Sequence, residues 1–169
     1  MKFACVTSAE QGAVNRALSG LALHLLDQGV RVIGATQHDT PRPNSRLCDM
    51  DVRILPDGAV IRISQNLGEN ARGCRLDPGA LETAVAQTAA RLDGADILIV
   101  NKFGKHEAEG RGFRDVIAGA ILRDIPVIVG TNRMNIDAFR AFCDNRAEAL
   151  PPDLPRLLDW ARASLRRAA

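Results

Sequence analysis

A three-layer α/β/α domain on a mostly parallel sheet, with one inserted β-hairpin, is the fold class this sequence predicts, on three observations. First, Ile97-Leu98-Ile99-Val100 and Ile125-Pro126-Val127-Ile128-Val129 are short, apolar and largely β-branched, the character of strands buried on both faces. Second, such runs alternate with segments in which leucines recur at three- and four-residue spacing, the helical period. Third, Met50 to Leu55 and Ala59 to Ser64 flank Pro56-Asp57-Gly58, a tight-turn composition, and the second run alternates apolar and polar residues.

Taken in order, Lys2 to Thr7 is the first strand. A helix from about Gly12 to Gln28 carries Leu18, Leu21, Leu25 and Leu26, and Gly29 is its stop signal. Val30 to Thr36 is a second strand ending in Gln37, His38 and Asp39, and residues 40–45 read as a proline-broken loop. The hairpin insert covers about 48–65, and Gln65 to Cys74 is a glycine- and arginine-bearing loop. Asp77-Pro78 opens a helix to about Leu92 as N-cap and first-position proline. The central strand follows, then a helix over about Phe113 to Arg123, the strand to Thr131 and a short helix from about Ile136 to Cys143. Beyond Pro151, Pro152 and Pro155, a last helix over about 156–166 (Leu157 to Leu165 at its centre) is expected on the outside. Parallel strands joined by helices place the strand ends at Thr7, Gln37, Asn101 and Thr131 on one edge, where α/β sheets bind ligands.

The 169 residues fit one domain, 1–169, able to bury a substantial core. No apolar run approaches the roughly 18 residues of a membrane span, and Met1 to Val6 is too soon interrupted for a secretory signal, so no membrane and a cytoplasmic location are expected. Net charge is +2, arginines are scattered, tyrosine is absent and there is one tryptophan. A platform for stacking nucleic-acid bases is therefore not expected. Cys5, Cys48, Cys74 and Cys143 show no C-x-x-C spacing and are expected as reduced thiols, Cys5 and Cys143 in the core. A soft-metal pairing of Cys48 with Cys74, beside His38 and His106, is the weaker alternative.

Two stretches carry chemistry. Ser8-Ala9-Glu10-Gln11-Gly12, with Ala13 and Val14, joins a strand to a helix, a junction that presents free N–H groups and the positive end of the helix dipole to an anion. The phosphate-loop pattern G-x-x-x-x-G-K-S/T fits there at one position of four: Thr7 stands for the first Gly, Gly12 matches, Ala13 replaces the lysine and Val14 the hydroxyl. The second stretch packs Asn101, Lys102, Lys105, His106, Glu107 and Glu109 into nine residues, with turns allowed at Gly104, Gly110 and Gly112. Arg72, Arg75 and Arg111 lie in loops near the same edge as possible anion clamps, or as solvated surface residues. Asp77 reads as a helix cap rather than an acid.

With these segments in hand, C-D-M-D-V-R-I-L-P-D-G (48–58), A-R-G-C-R-L-D-P-G-A-L (71–81) and I-L-I-V-N-K-F-G-K-H-E-A-E-G-R-G (97–112) resemble a bacterial family known as domain of unknown function 2478, to about Cys143. That family is in turn similar, distantly, to P-loop nucleoside-triphosphatases of the thermophilic NTPase type. The resemblance implies P-loop NTPase-like topology and a genetic setting beside molybdenum uptake or nitrogenase functions. Laid on the triphosphatase pattern, Asn101 takes the place of the magnesium-linked Asp, Lys102 that of the following acid and Glu107 that of a retained Glu. Magnesium-dependent hydrolysis needs a loop lysine, a hydroxyl and a carboxylate, none of which stands in its usual place.

The expected function is therefore a P-loop-derived protein binding a small anion, either a nucleotide or an oxyanion such as phosphate, sulfate or molybdate. Residues 8–14, Gln37, Asn101 and Arg72 would form the pocket, with Lys102 replacing the loop lysine. The alternatives are a triphosphatase in which Lys102, Glu107 and Glu109 carry relocated catalysis, or a scaffold or regulatory protein acting on a protein partner or as a homo-oligomer.

Overall fold

The computed structural model describes residues 2–43, 48–67 and 75–166. Seven strands form one sheet in the order β4-β3-β2-β5-β6-β1-β7. They are β1 (Phe3–Val6), β2 (Val32–Pro41), β3 (Cys48–Leu55), β4 (Val60–Arg62), β5 (Ile97–Phe103), β6 (Val127–Thr131) and β7 (Glu148–Leu150). The helices are α1 (Ala13–Asp27), α2 (Pro78–Ala89), α3 (Lys105–Ala108), α4 (Arg114–Leu122), α5 (Ile136–Phe142) and α6 (Leu154–Arg166). Every pairing from β2 through β5, β6 and β1 to β7 is parallel, and the β2–β3–β4 meander is antiparallel.

Side-chain alternation along the central strands divides the core into two layers. Ala4, Val6, Ile97, Ile99 and Ile128 face one way and pack with Leu18, Leu21 and Leu25 of α1 and Leu157 and Ala161 of α6. Cys5, Leu98, Val100, Val127 and Val129 face the other way, against Leu81 and Ala84 of α2, Ile117 and Ala120 of α4 and Phe139 of α5. With both faces covered, these strands have no polar stripe, which is why they read as continuous apolar runs.

Four expectations are corrected. β2 does not end at Thr36: its parallel pairing with β5 reaches only Ala35, but β3 pairs with it antiparallel from Gly34 to Pro41 and holds it extended. The stretch after Val100 is not all loop, since β5 continues to Phe103 and Lys105–Ala108 forms one helical turn. The last helix starts at Leu154, because Pro155 fits a first turn whose N–H groups have no helical partner. It is also not merely external: Leu157, Leu158 and Ala161 are buried beside α1. Finally, β7 was not expected; its three residues have no periodicity and are extended by pairing with β1.

Where β5 ends, its pairing register with β6 shifts between Val100 and Phe103. Phe103 thereby joins the layer of Leu98 and Val100, stacking edge-on to Phe139 at 5.3 Å between ring centres. Asn101 turns to α1, and Lys102 between them is exposed. A bulge of this kind re-aims side chains at a strand end without disturbing the sheet behind it.

Candidate functional site

The junction of β1 and α1 opens onto a cleft of about 270 Å³ lined by Ser8, Ala9, Glu10, Gln11, Gly12 and Val14 on one side. The ends of the neighbouring strands supply Gln37, Asp39, Asn101, Lys102, Thr131 and Asn132. Convergence of the strand ends on one edge is thus what the chain adopts. Ala13 does not line the cleft and is buried.

Local chemistry shapes the loop. The Ser8 hydroxyl accepts a hydrogen bond from the N–H of Glu10 at 3.0 Å. Gly12 adopts φ +73°, a left-handed conformation that costs a glycine little, and it starts α1 with no side-chain cap. No acidic residue occupies the helix's first turn. The early N–H groups of this 15-residue helix therefore have no side-chain acceptor, the Ala13 N–H bonding the Glu10 carbonyl at 3.4 Å, and Gly12, Val14 and Asn15 at this end line the cleft.

The acidic groups of the cleft are engaged. Glu10 is paired with Arg16. Asp39 accepts from the amides of Asn15 at 3.2 Å and Gln37 at 2.8 Å. Asn101, 5% exposed, donates through Nδ2 to Asn15 Oδ1 at 2.8 Å, while its own Oδ1 is buried without a hydrogen-bond partner. A buried acceptor left unmade costs on the order of 1–3 kcal/mol, so this oxygen marks a place for a donor. Lys102 stands at the rim and makes no ion pair with any described carboxylate.

Glu107 is placed differently from the other charged residues of its stretch. It is 3% exposed, and its carboxylate accepts from the N–H of Gly104 at 2.9 Å and of Phe113 at 3.2 Å. Gly112 lies so close that a Cβ there would meet Glu107 Oε1 at 2.2 Å. Glu107 thus ties the α3 turn to the start of α4. Glu109 is half-exposed and sits between Arg111, at 2.5 Å, and Lys105, at 3.6 Å. The hydrogen bond from Arg111 holds its carboxyl below the usual range.

Of the other candidates, Arg75 donates to the Cys48 carbonyl at 2.8 Å and lies 3.7 Å from Asp49. Asp77 caps α2, accepting from the Ala80 N–H at 3.0 Å. Arg72 and Cys74 lie outside the described residues, so the Arg72 clamp and the Cys48–Cys74 pairing are not placed. Cys48 is an exposed free thiol, and His38 is exposed on β2. Among the described residues no three His, Cys, Asp or Glu side chains come together in a metal-holding group.

Sequence reasoning missed Asn15, one position beyond the tested phosphate-loop pattern, and Asn132, one residue after β6. It also missed a second, larger cavity of about 500 Å³. Met50, Val52, Ile63, Leu76, Leu81, Phe113 and Met134 supply its apolar lining, with Lys105 and His106 at its edge. These residues come from five separate stretches, and no local signal links them.

The mostly parallel sheet with helices on both faces, and a strand-to-helix loop at its polar edge, is an α/β fold of the P-loop nucleoside-triphosphatase type. Solved structures agree: a human cancer-related nucleoside triphosphatase matches with a TM-score of 0.62 at 15% identity, over 99% of this chain and 97% of that one. THEP1 from the hyperthermophile Aquifex aeolicus matches with a TM-score of 0.61 at 16% identity, over 100% and 97%. The chain itself belongs to the family described as protein of unknown function (DUF2478), which it matches over residues 3–160. It is also 32% identical over 142 residues to the molybdenum import ATP-binding protein ModC 2 of Bradyrhizobium diazoefficiens. That match takes in 83% of this chain but 16% of the relative, so the chain spans about a sixth of that protein's length.

Proposed function

We propose that this protein binds a small anion, either a free oxyanion or the phosphate end of a nucleotide, in the cleft at the start of α1, without a magnesium ion. One observation carries the reading. Lys102, with no carboxylate partner among the described residues, stands at the rim of a cleft lined by the start of a 15-residue helix that has no side-chain cap. Ala13 occupies the position of the phosphate-loop lysine, and Lys102 supplies the missing cation from the neighbouring strand end. The carboxylates of the cleft already have partners, Glu10 in Arg16 and Asp39 in the amides of Asn15 and Gln37. Asn101 offers an amide where a carboxylate would serve a metal, and its Nδ2 is given to Asn15. The likeness in fold to nucleoside triphosphatases and the match to a protein named for ATP binding and molybdenum import support this class of ligand and make molybdate a natural probe.

In this reading Glu107 positions the α3 turn rather than touching ligand, since its carboxylate is held by two backbone N–H groups. A hydrolase would need Glu109 to leave Arg111 and Lys105 before it handled water.

The test is thermal unfolding of the protein with phosphate, sulfate, molybdate, tungstate, ADP, ATP and GTP, each with and without Mg²⁺. A ligand at a hundredfold excess over its Kd adds roughly 2.7 kcal/mol of stability. At least one anion is expected to stabilise the protein equally in both conditions, and Lys102→Ala to lose that effect. Stabilisation that requires Mg²⁺, accompanied by phosphate release, would replace this reading with a triphosphatase. No response to any of them would leave a scaffold.

A further inference from the structure

The 500 Å³ cavity and the anion cleft adjoin, sharing Gln37, Asn101, Lys102 and Asn132 as common lining. They differ in chemistry. The cleft is walled by backbone, hydroxyl and amide groups together with Lys102 and the carboxylates of Glu10 and Asp39, which are answered by Arg16 and by the amides of Asn15 and Gln37. The larger cavity has a buried apolar floor of Val52, Ile63, Leu81 and Phe113, formed where the hairpin and α2 close over the sheet. Its size and composition, a mostly apolar surface with a few convergent polar groups, are those of a small-molecule site. A bare oxyanion would fill only a small part of it and gain nothing from its floor.

Resting on the anion site proposed above, we propose that the natural ligand is an amphipathic anion. Its phosphate-like group lies at the start of α1 beside Lys102, and its apolar or aromatic body fills the cavity between Ile63, Leu81 and Phe113. Three further observations support this class of ligand. Lys102 and Lys105 line the cavity, Lys105 standing 3.6 Å from Glu109, while the cavity's carboxylate, Glu107, is turned to backbone N–H groups. Asn101, more than nine-tenths buried, stands where the two spaces meet and has an oxygen with no donor, so a ligand N–H or O–H at the junction would complete it. Met134 is 88% exposed beside an apolar cavity, a flexible side chain placed to close over a bound ring.

The experiment compares three probes by calorimetry: inorganic phosphate, 1-naphthol and 1-naphthyl phosphate, which joins the two groups in one molecule. The naphthyl phosphate is expected to bind at least tenfold more tightly than either half. Leu76→Trp, which narrows the cavity from a half-buried position, is expected to remove that gain and leave phosphate binding unchanged. Met134→Ser changes only an exposed side chain and is expected to weaken naphthyl phosphate and naphthol but not phosphate, so the test survives if Leu76→Trp does not fold. Lys102→Ala is expected to weaken phosphate and naphthyl phosphate together. Naphthyl phosphate binding no tighter than phosphate would overturn the proposal while leaving the anion site standing, as would a gain unaffected by both cavity variants. Failure of phosphate and naphthyl phosphate alike would overturn this ligand class, and the anion site itself falls only if sulfate, molybdate, tungstate and the nucleotides also fail. Naphthol binding with no contribution from the phosphate would overturn the link between the two spaces.

Discussion

The hairpin of β3 and β4 and the turn after β5 are both dense in charged side chains, but they use them in opposite ways. In the hairpin, Asp49 receives Arg42 Nε at 2.6 Å, Arg62 at 2.9 Å and the Ser64 hydroxyl at 3.1 Å. Asp51 receives Arg62 at 2.9 Å and the Thr40 hydroxyl at 2.6 Å. Asp49 and Asp51 are thus both answered by donors on or beside the same antiparallel meander, and the network fastens its strands to one another. After β5, Glu107 and Glu109 are likewise answered, but Lys102 is not. Charge density alone therefore marks structure as readily as function; the group that lacks a partner is the better guide to a ligand.

The sharpest way to break this comparison is Glu107→Ala. If Glu107 is structural, the loss leaves two buried N–H groups orphaned and should destabilise the protein by about 3 kcal/mol, read from denaturant unfolding. Unchanged stability would return Glu107 to the set of ligand-facing groups.

Next in size is Lys102→Ala, expected to weaken phosphate or molybdate binding by roughly 10- to 100-fold, the worth of a charge-assisted hydrogen bond. Melting temperature without ligand should stay the same, because no described partner is lost. A fall in melting temperature would show that the lysine is paired after all.

The α2 cap offers a smaller effect. Asp77→Ala removes the acceptor of the Ala80 N–H and should cost about 1 kcal/mol of stability with no change in anion affinity.

The smallest expected effect is in the hairpin's response to acid. The Arg62 hydrogen bond outweighs burial and holds Asp51 below the ordinary aspartate range. At Asp49 burial pushes upward, and the hydrogen bonds from Arg42 and Ser64 more than offset it. A carboxyl depressed by folding stabilises the protein fully above its unfolded pKa, about 3.9, and loses that contribution as pH falls through the lower folded value. Melting temperature should therefore drop below about pH 4, and Asp51→Asn should flatten part of that drop. An unaltered acid profile in the variant would remove Asp51 from the network's energetics.

Much of the fold was legible because β1, β5 and β6 are covered on both faces and so write themselves as apolar runs. β7 and the outer half of β2 were not, since both are extended by a neighbour's pairing rather than by their own residues. At the site, the loop after β1 and the polar ends of β2 and β5 could be read from topology. The standing of Glu107 could not: its spacing three residues after Gly104 fits a helix-start acceptor, but its burial depends on Phe113 and Gly112 closing over it. Nor could the apolar cavity, because Met50, Leu76, Phe113 and Met134 meet only after the hairpin folds back on the sheet.

The register shift at the end of β5 also bears on how such a site changes over evolutionary time. Three consecutive residues point to three destinations, Asn101 to α1, Lys102 to the rim and Phe103 to the aromatic core, whereas strict alternation would give two. Gaining or losing one residue there would exchange which side chain stands at the rim of the cleft, while the sheet up to Val100 kept its pairing. A lineage could thus re-equip this edge in a single step, without first surrendering its fold.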